Sequence, residues 1–372
     1  MDELTPVLQR FSIEVVEASR LVSRDIIAFC MSAVIQPLLS RLEAFDVRFK
    51  CYAPMPTETN FEALKVSAGN EFELLVVLEH LAAIKTFNDL AETNPSLACY
   101  GQVLVQECSG LSLDDLCTAN TAGQHKVLSA AKVREHFAQT VAKAATITAF
   151  QDATVQVRFK DPYTQVKIVR FHDTYFVQLV PAIYFHNMWP YCANAWGQED
   201  ATTSWLTPEV TSHCRHMGFF AVPQKCPYSQ EETLWRISFQ RAEKYLLSYS
   251  FIDSPQGVMK QVDRVLRMLR TSDADAFRPL SAYHLTTAVL HAWREWPDPC
   301  SWTAARLGER LLAVLCWLVH ALEQRELRHF FVPSCNLLAH YTPQQCLEAA
   351  ARLRDIHNEF CLAPEQSIRL QC

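Results

Sequence analysis

Residues 65–78 read Lys-Val-Ser-Ala-Gly-Asn-Glu-Phe-Glu-Leu-Leu-Val-Val-Leu, and the second half of this stretch alternates. Phe72, Leu74, Val76 and Leu78 point to one side of a predicted strand, while Glu71 and Glu73 open the other. Gly69 and Asn70 read as a tight entry turn. Upstream, Phe11, Val15, Val22, Ile26, Phe29, Val34, Leu38 and Leu42 recur at helical spacing. They predict a long buried spine helix over 11–45, kinked at Pro37. A short strand over 47–52 and a loop over 54–60 follow. A strand over 102–107 precedes a helix that Ser129 opens and that runs to about residue 150. Residues 155–159 and 165–171 alternate strictly as strands, and His172-Asp173 turns the chain into a third, 175–183. Trp189, Trp196 and Trp205 mark an irregular segment before a short strand over 219–223. From residue 233 the pattern turns helical, over 234–249, 258–269, 281–293, 302–325 and 342–360. The shift predicts an α+β fold with an α/β lobe over 1–222 and an all-helical lobe over 223–372.

Composition narrows the class. Of 372 residues, 49% are hydrophobic and 20% charged, enough for a large core. The net charge of −6 supplies no global basic field, so nucleic acid could be met only through a local patch. Only eight glycines occur, and no glycine-rich phosphate loop or dinucleotide fingerprint is found. The acidic start, Met-Asp-Glu-Leu, is unlike a secretory signal, so the fourteen cysteines are expected to be reduced thiols of the cytosol or nucleus. The apolar runs 26–35 and 311–319 are shorter than the ~20 residues a bilayer needs and read as buried helices, with no membrane partner expected.

Four features carry candidate chemistry. Glu71 and Glu73 leave one strand face side by side, and adjacent carboxylates repel unless a cation neutralises them. That is a local design for Mg²⁺; it is also how a half-buried strand lines its solvated face. Gln178 is a lone polar residue in the run Tyr-Phe-Val-Gln-Leu-Val-Pro-Ala-Ile, which fits either a site or a core amide bonded to backbone. Lys260, Arg264, Arg267 and Arg270 recur at helical spacing as one basic stripe, suited to phosphate or to a solvated face. Cys214, His216 and Cys226 could supply three metal ligands but lack a Cys-x-x-Cys pair.

With these segments placed, the sequence resembles the Mab-21 family, whose fold is shared with cyclic GMP-AMP synthase. The marks are Phe61-Glu62-Ala63-Leu64-Lys65-Val66 leading into Asn70-Glu71-Phe72-Glu73, then Phe176 to Ala182 with Trp189-Pro190 downstream. Trp235 to Phe239 with Ala242-Glu243, Ser281 to Leu285, and His329 to Pro333 with Asn336-Leu337 complete them. The resemblance implies a nucleotidyltransferase lobe in which three acids hold two Mg²⁺ ions. Glu71 and Glu73 match the first two acids, and the third position falls on Gln178. An amide supplies no charge, so two divalent cations lack a sufficient anionic set. The Gly-Ser pair that grips triphosphate in active synthases is replaced by Glu58-Thr59. The His and Cys residues of the synthases' zinc insertion are missing between Ser248 and Lys260, so no zinc is expected. On the nucleotide side, Tyr283 matches a base-stacking aromatic, Arg236 and Ser238 match residues facing the bases, and Arg267 matches a phosphate-contacting lysine. Thr59, Lys65, Arg264 and Ser281 complete the expected nucleotide-binding set. The expectation is a degenerate nucleotidyltransferase that binds nucleotide or single-stranded nucleic acid and acts through protein partners in cell-fate regulation, with a homo-oligomer open. The alternative is an active synthase that senses double-stranded RNA and makes a cyclic dinucleotide.

Overall fold

The computed structural model describes residues 4–11, 25–51, 65–68, 71–81, 86–91, 93–105, 112–119, 126–198, 206–248, 255–275 and 277–363. The expected loop over 54–60 and the turn at Gly69-Asn70 lie outside them. Among the described residues eleven strands form one sheet. They are β1 Lys65–Ala68, β2 Glu71–Val77, β3 Thr86–Asp89, β4 Tyr100–Val105, β5 Cys117–Ala119, β6 Lys126–Leu128, β7 Thr154–Lys160, β8 Tyr163–Arg170, β9 Asp173–Phe185, β10 Phe219–Val222 and β11 Leu234–Ser238. The path β1-β2-β9-β10-β11-β4-β6-β5 runs through the sheet, with β3 on β4 and the β7–β8 hairpin on β9. The sheet is mixed because β2 runs parallel to β9 while β8 runs antiparallel to it. The helices are α1 Leu4–Phe11, α2 Asp25–Phe45, α3 Ala130–Ile147, α4 Pro208–Met217, α5 Gln240–Ser248, α6 Pro255–Ser272, α7 Ala282–Glu295, α8 Leu307–Gln324 and α9 Pro343–Leu362.

Several expectations are met closely and others are corrected. Ser129 caps α3 by accepting from the Lys132 N–H at 3.3 Å, and its own hydroxyl donates to the Glu232 carbonyl at 3.2 Å. Replacing Ser129 by alanine is expected to lower stability by about 1 kcal/mol in urea unfolding, the usual worth of an N-cap. Of the strand expected over 47–52, the described residues 47–51 do not form one, and residue 52 lies outside the description. The Asp46 carboxylate accepts from the Arg48 N–H at 3.0 Å and caps a 3₁₀ turn, Val47–Phe49, leaving only a bridge from Cys51 to Leu78. The spine helix is described over α2, where a π-helical segment, Cys30–Ile35, ends two residues before Pro37. Proline offers no N–H to the preceding turn and crowds its carbonyl, and the wider π turn absorbs that defect. Residues 12–24 of the expected spine lie outside the description. The 21 residues of α2 are long and apolar enough to cross a membrane by length and composition, yet Ile27, Cys30, Val34, Ile35, Leu38 and Leu42 are buried in the protein.

Two compact units divide the chain. One comprises Val22–Cys192 and Cys214–Ala242 and holds the whole sheet; the other comprises Met1–Leu21, Ala193–His213 and Glu243–Cys372. This differs from a single boundary at residues 222 and 223. The expected helix over 234–249 begins instead as β11, which pairs with β10 and β4. Trp235 and Ile237 are buried on one side while Arg236 and Ser238 lie on the other, so the period there is two. In the helical unit, α8 buries Leu311, Leu315, Leu318 and Leu322, and α9 buries Cys346, Ala349, Ala350, Leu353 and Ile356. The small Cys and Ala positions let the two helices approach closely.

Candidate functional site

Side-chain alternation and strand register assemble one part of the site in the sheet unit. The parallel ladder pairs Glu71 with Phe176 and Glu73 with Gln178, and the antiparallel ladder pairs Gln178 with Gln165. Glu71, Glu73 and Gln178 therefore share a face. The same face continues along β9 to Val180 and Ala182, which cluster with Phe220 and Val222 and with the half-buried Leu75, Val77, Tyr163 and Tyr184. Because Val222 pairs with Arg236 and Phe220 with Ser238, both of those residues lie on this face too. Five of the expected side chains, distant in sequence, are thus gathered by register alone.

Gln178 is buried, and its Nε2 donates to Glu71 Oε1 at 2.5 Å. The amide meets a site carboxylate rather than the backbone. A hydrogen bond to a charged acceptor contributes roughly 1.5–3 kcal/mol, and it steadies the anion without bringing another charge. Tyr163 is the residue that sequence reasoning missed. Burial raises its phenol pKa above the ordinary value, and the charges of Glu71 and Glu73 raise it further, so the phenol stays protonated beside the two acids. Strict alternation of the β7–β8 hairpin was the signal that could have placed it on this face.

A two-cation site does not fit this donor set. Among the described residues only two carboxylates leave the face, and no group of three His, Cys, Asp or Glu converges. Gln178 directs an N–H, not an oxygen, at Glu71. Elsewhere, Cys214 is buried with its thiol pushed up to about 12 by burial, a poor thiolate source, and the His216 ring packs edge-on against His186.

Residues 60–249 match the Mab-21 protein nucleotidyltransferase domain, and residues 258–355 match the Mab-21 protein HhH/H2TH-like domain. The chain belongs to the Mab-21 family. Every strand of the sheet falls inside the first match; the second begins within α6, contains α7 and α8 entirely and ends within α9.

The remaining residues expected of a Mab-21 site divide by location. Thr59 and Glu58 lie outside the described residues. Lys65 pairs in register with Glu73 at the start of β1. In the helical unit, two members of the α6 stripe, Arg267 and Arg270, bond within the unit. Arg267 Nε donates to Asp263 Oδ2 at 2.6 Å and Nη2 to Thr286 Oγ1 at 2.7 Å, while Thr286 donates back to Asp263 Oδ1 at 2.9 Å. Arg270 Nε donates to the Leu280 carbonyl, and burial, followed by its neighbour Arg267, lowers its pKa from the ordinary value. Lys260 and Arg264 flank this network half-buried. Ser281 is the N-cap of α7, its hydroxyl accepting from the His284 N–H while His284 Nδ1 accepts from the Ser281 N–H at 3.0 Å. The Tyr283 hydroxyl lies 2.6 Å from His329 Nε2. His329 Nδ1 in turn accepts from the Phe331 and Val332 N–H groups, so the other ring nitrogen carries the proton toward Tyr283. A cavity of about 440 Å³ in this unit is lined by residues that include His291, Trp317 and Arg328, and none of the expected site residues lines it.

Proposed function

We propose that this Mab-21 protein uses a nucleotidyltransferase fold to hold a nucleotide, or the phosphates of a single-stranded nucleic acid, without joining nucleotides, and that it acts on cell-fate regulation through protein partners in the cytosol or nucleus. The observation that supports the loss of catalysis is the 2.5 Å bond from Gln178 Nε2 to Glu71. In-line attack on an α-phosphate requires a densely anionic set for two cations. Here the third place is taken by a donor that competes with a cation for the same carboxylate oxygen. Glu71 and Glu73 would hold at most one Mg²⁺, with the ligand's own phosphates completing its shell. Arg236 and Ser238 lie on the same sheet face, which supports a role for them in meeting a bound base.

The decisive measurement is a product assay with the four NTPs and Mg²⁺ or Mn²⁺, with and without double-stranded RNA or DNA. No new phosphodiester is expected, while an NTP at a hundred times its Kd adds about 2.7 kcal/mol to stability and raises the melting temperature. A cyclic or linear product that disappears in Glu73→Ala would overturn the loss of catalysis. A melting temperature unmoved by any nucleotide would remove the binding function.

A further inference from the structure

We propose that β7 is the seam of a twofold dimer, in which two copies of this chain join their sheets edge to edge. On one side β7 pairs with β8 along its full length, from Thr154 opposite Val169 to Lys160 opposite Tyr163. Among the described residues no strand pairs with its other side. Such an edge presents a row of outward N–H and C=O groups, a ready template for another strand. At seven residues β7 outstrips β1 and β5, which end the main path of the sheet with four and three. Thr154, Gln156, Arg158, Phe159 and Lys160 are all exposed, and Phe159 leaves 48% of its surface uncovered.

The order of residues in β7 fits a second copy of itself. In an antiparallel pairing centred on Val157, that residue meets its own counterpart, Val155 meets Phe159, Gln156 meets Arg158 and Thr154 meets Lys160. Every directly opposed pair is either apolar on apolar or neutral polar on basic, so no like charges face each other. Sliding the centre to Arg158 would oppose two guanidiniums, so charge excludes that register, and sliding it to Gln156 would leave Phe159 and Lys160 opposite residues outside the strand, so the Val157 centre pairs the most of β7. The β8 ladder places Val155 opposite Ile168 and Val157 opposite Val166, both buried. The apolar pairs of the dimer therefore extend the buried face of the sheet, and Phe159, exposed in one copy, is covered by Val155 of the other. Arg158 and Lys160, charges that would turn away a strand carrying basic residues at those positions, are tolerated in this one arrangement.

Sedimentation equilibrium of the full chain and of two exposed-site variants tests this. Gln156→Lys sets a lysine against Arg158 of the second copy at two symmetric places, and Gln156→Glu sets a carboxylate there. Cross-strand charge pairs predict a dimer Kd raised roughly 2- to 30-fold by the first and lowered by a similar factor by the second, with far-ultraviolet circular dichroism unchanged. A chain that stays monomeric at every concentration, as it would if the edge serves a strand of a different protein, would overturn the proposal. So would a dimer held equally well in both variants, which would have to use another surface.

Discussion

Replacing Gln178 by glutamate is expected to lower the stability of the metal-free protein by about 2–4 kcal/mol and to make it dependent on divalent cations. The amide now donates to Glu71 from a buried position beside Glu73 and Tyr163. A carboxylate there cannot donate, and it meets two like charges on one sheet face. The new carboxyl's folded pKa is raised above its unfolded value of about 4.3, so the folded state binds that proton more tightly. Stability is then highest below about pH 4 and falls as pH rises through the raised pKa, opposite to the behaviour of a salt-bridged acid. Mn²⁺ or Mg²⁺ neutralises the three acids and restores the melting temperature, while leaving the wild type little changed. Denaturant unfolding at pH 4 and pH 8, with and without cation, measures all of this. A variant as stable as wild type in EDTA at pH 8 would show that the amide contributes no more than its shape.

The second large effect concerns Arg267, for which family resemblance implies a phosphate contact. Its tie to Asp263 and Thr286 predicts that Asp263→Ala and Arg267→Ala each cost about 2–3 kcal/mol, less than a fully buried pair because the arginine side chain keeps 29% of its surface exposed. The residues touch, so the double variant costs less than the sum, with a coupling of about 1–2 kcal/mol. A double-mutant cycle by urea unfolding reads this directly. Additive losses, or an Arg267→Ala protein of full stability that no longer shifts with nucleotide, would return Arg267 to the ligand.

Much of the fold was legible because its signals are local. The cap at Ser129, the alternation through β7, β8 and β9 and the 3.6-residue stripe of α8 each sit within a few turns or one hairpin, where side-chain period reports which face is buried. The misreadings arise where short segments depend on distant partners. β11 follows a loop and precedes a helix, and its five residues become a strand because β10 and β4 present edges to them. β1, β3, β5 and β6, of three or four residues each, are strands only by virtue of the ladders they join. The chemistry divides in the same way. Spacing alone set Glu71 and Glu73 on one face, and resemblance matched Gln178 to the third position. The donor from Gln178 to Glu71, the phenol of Tyr163 beside both acids, the cap at Ser281 and the ion pair of Arg267 needed the folded chain.

What the sequence by itself determined is the family, the α+β class and the neutral amide at position 178, because motif order, hydrophobic period and residue identity are properties of the string. What only the tertiary structure decided is which partner each polar group takes. Hydrogen bonds are short and directional, so that choice depends on placements of a few ångströms between residues as far apart as Glu71 and Gln178, and no local pattern encodes them.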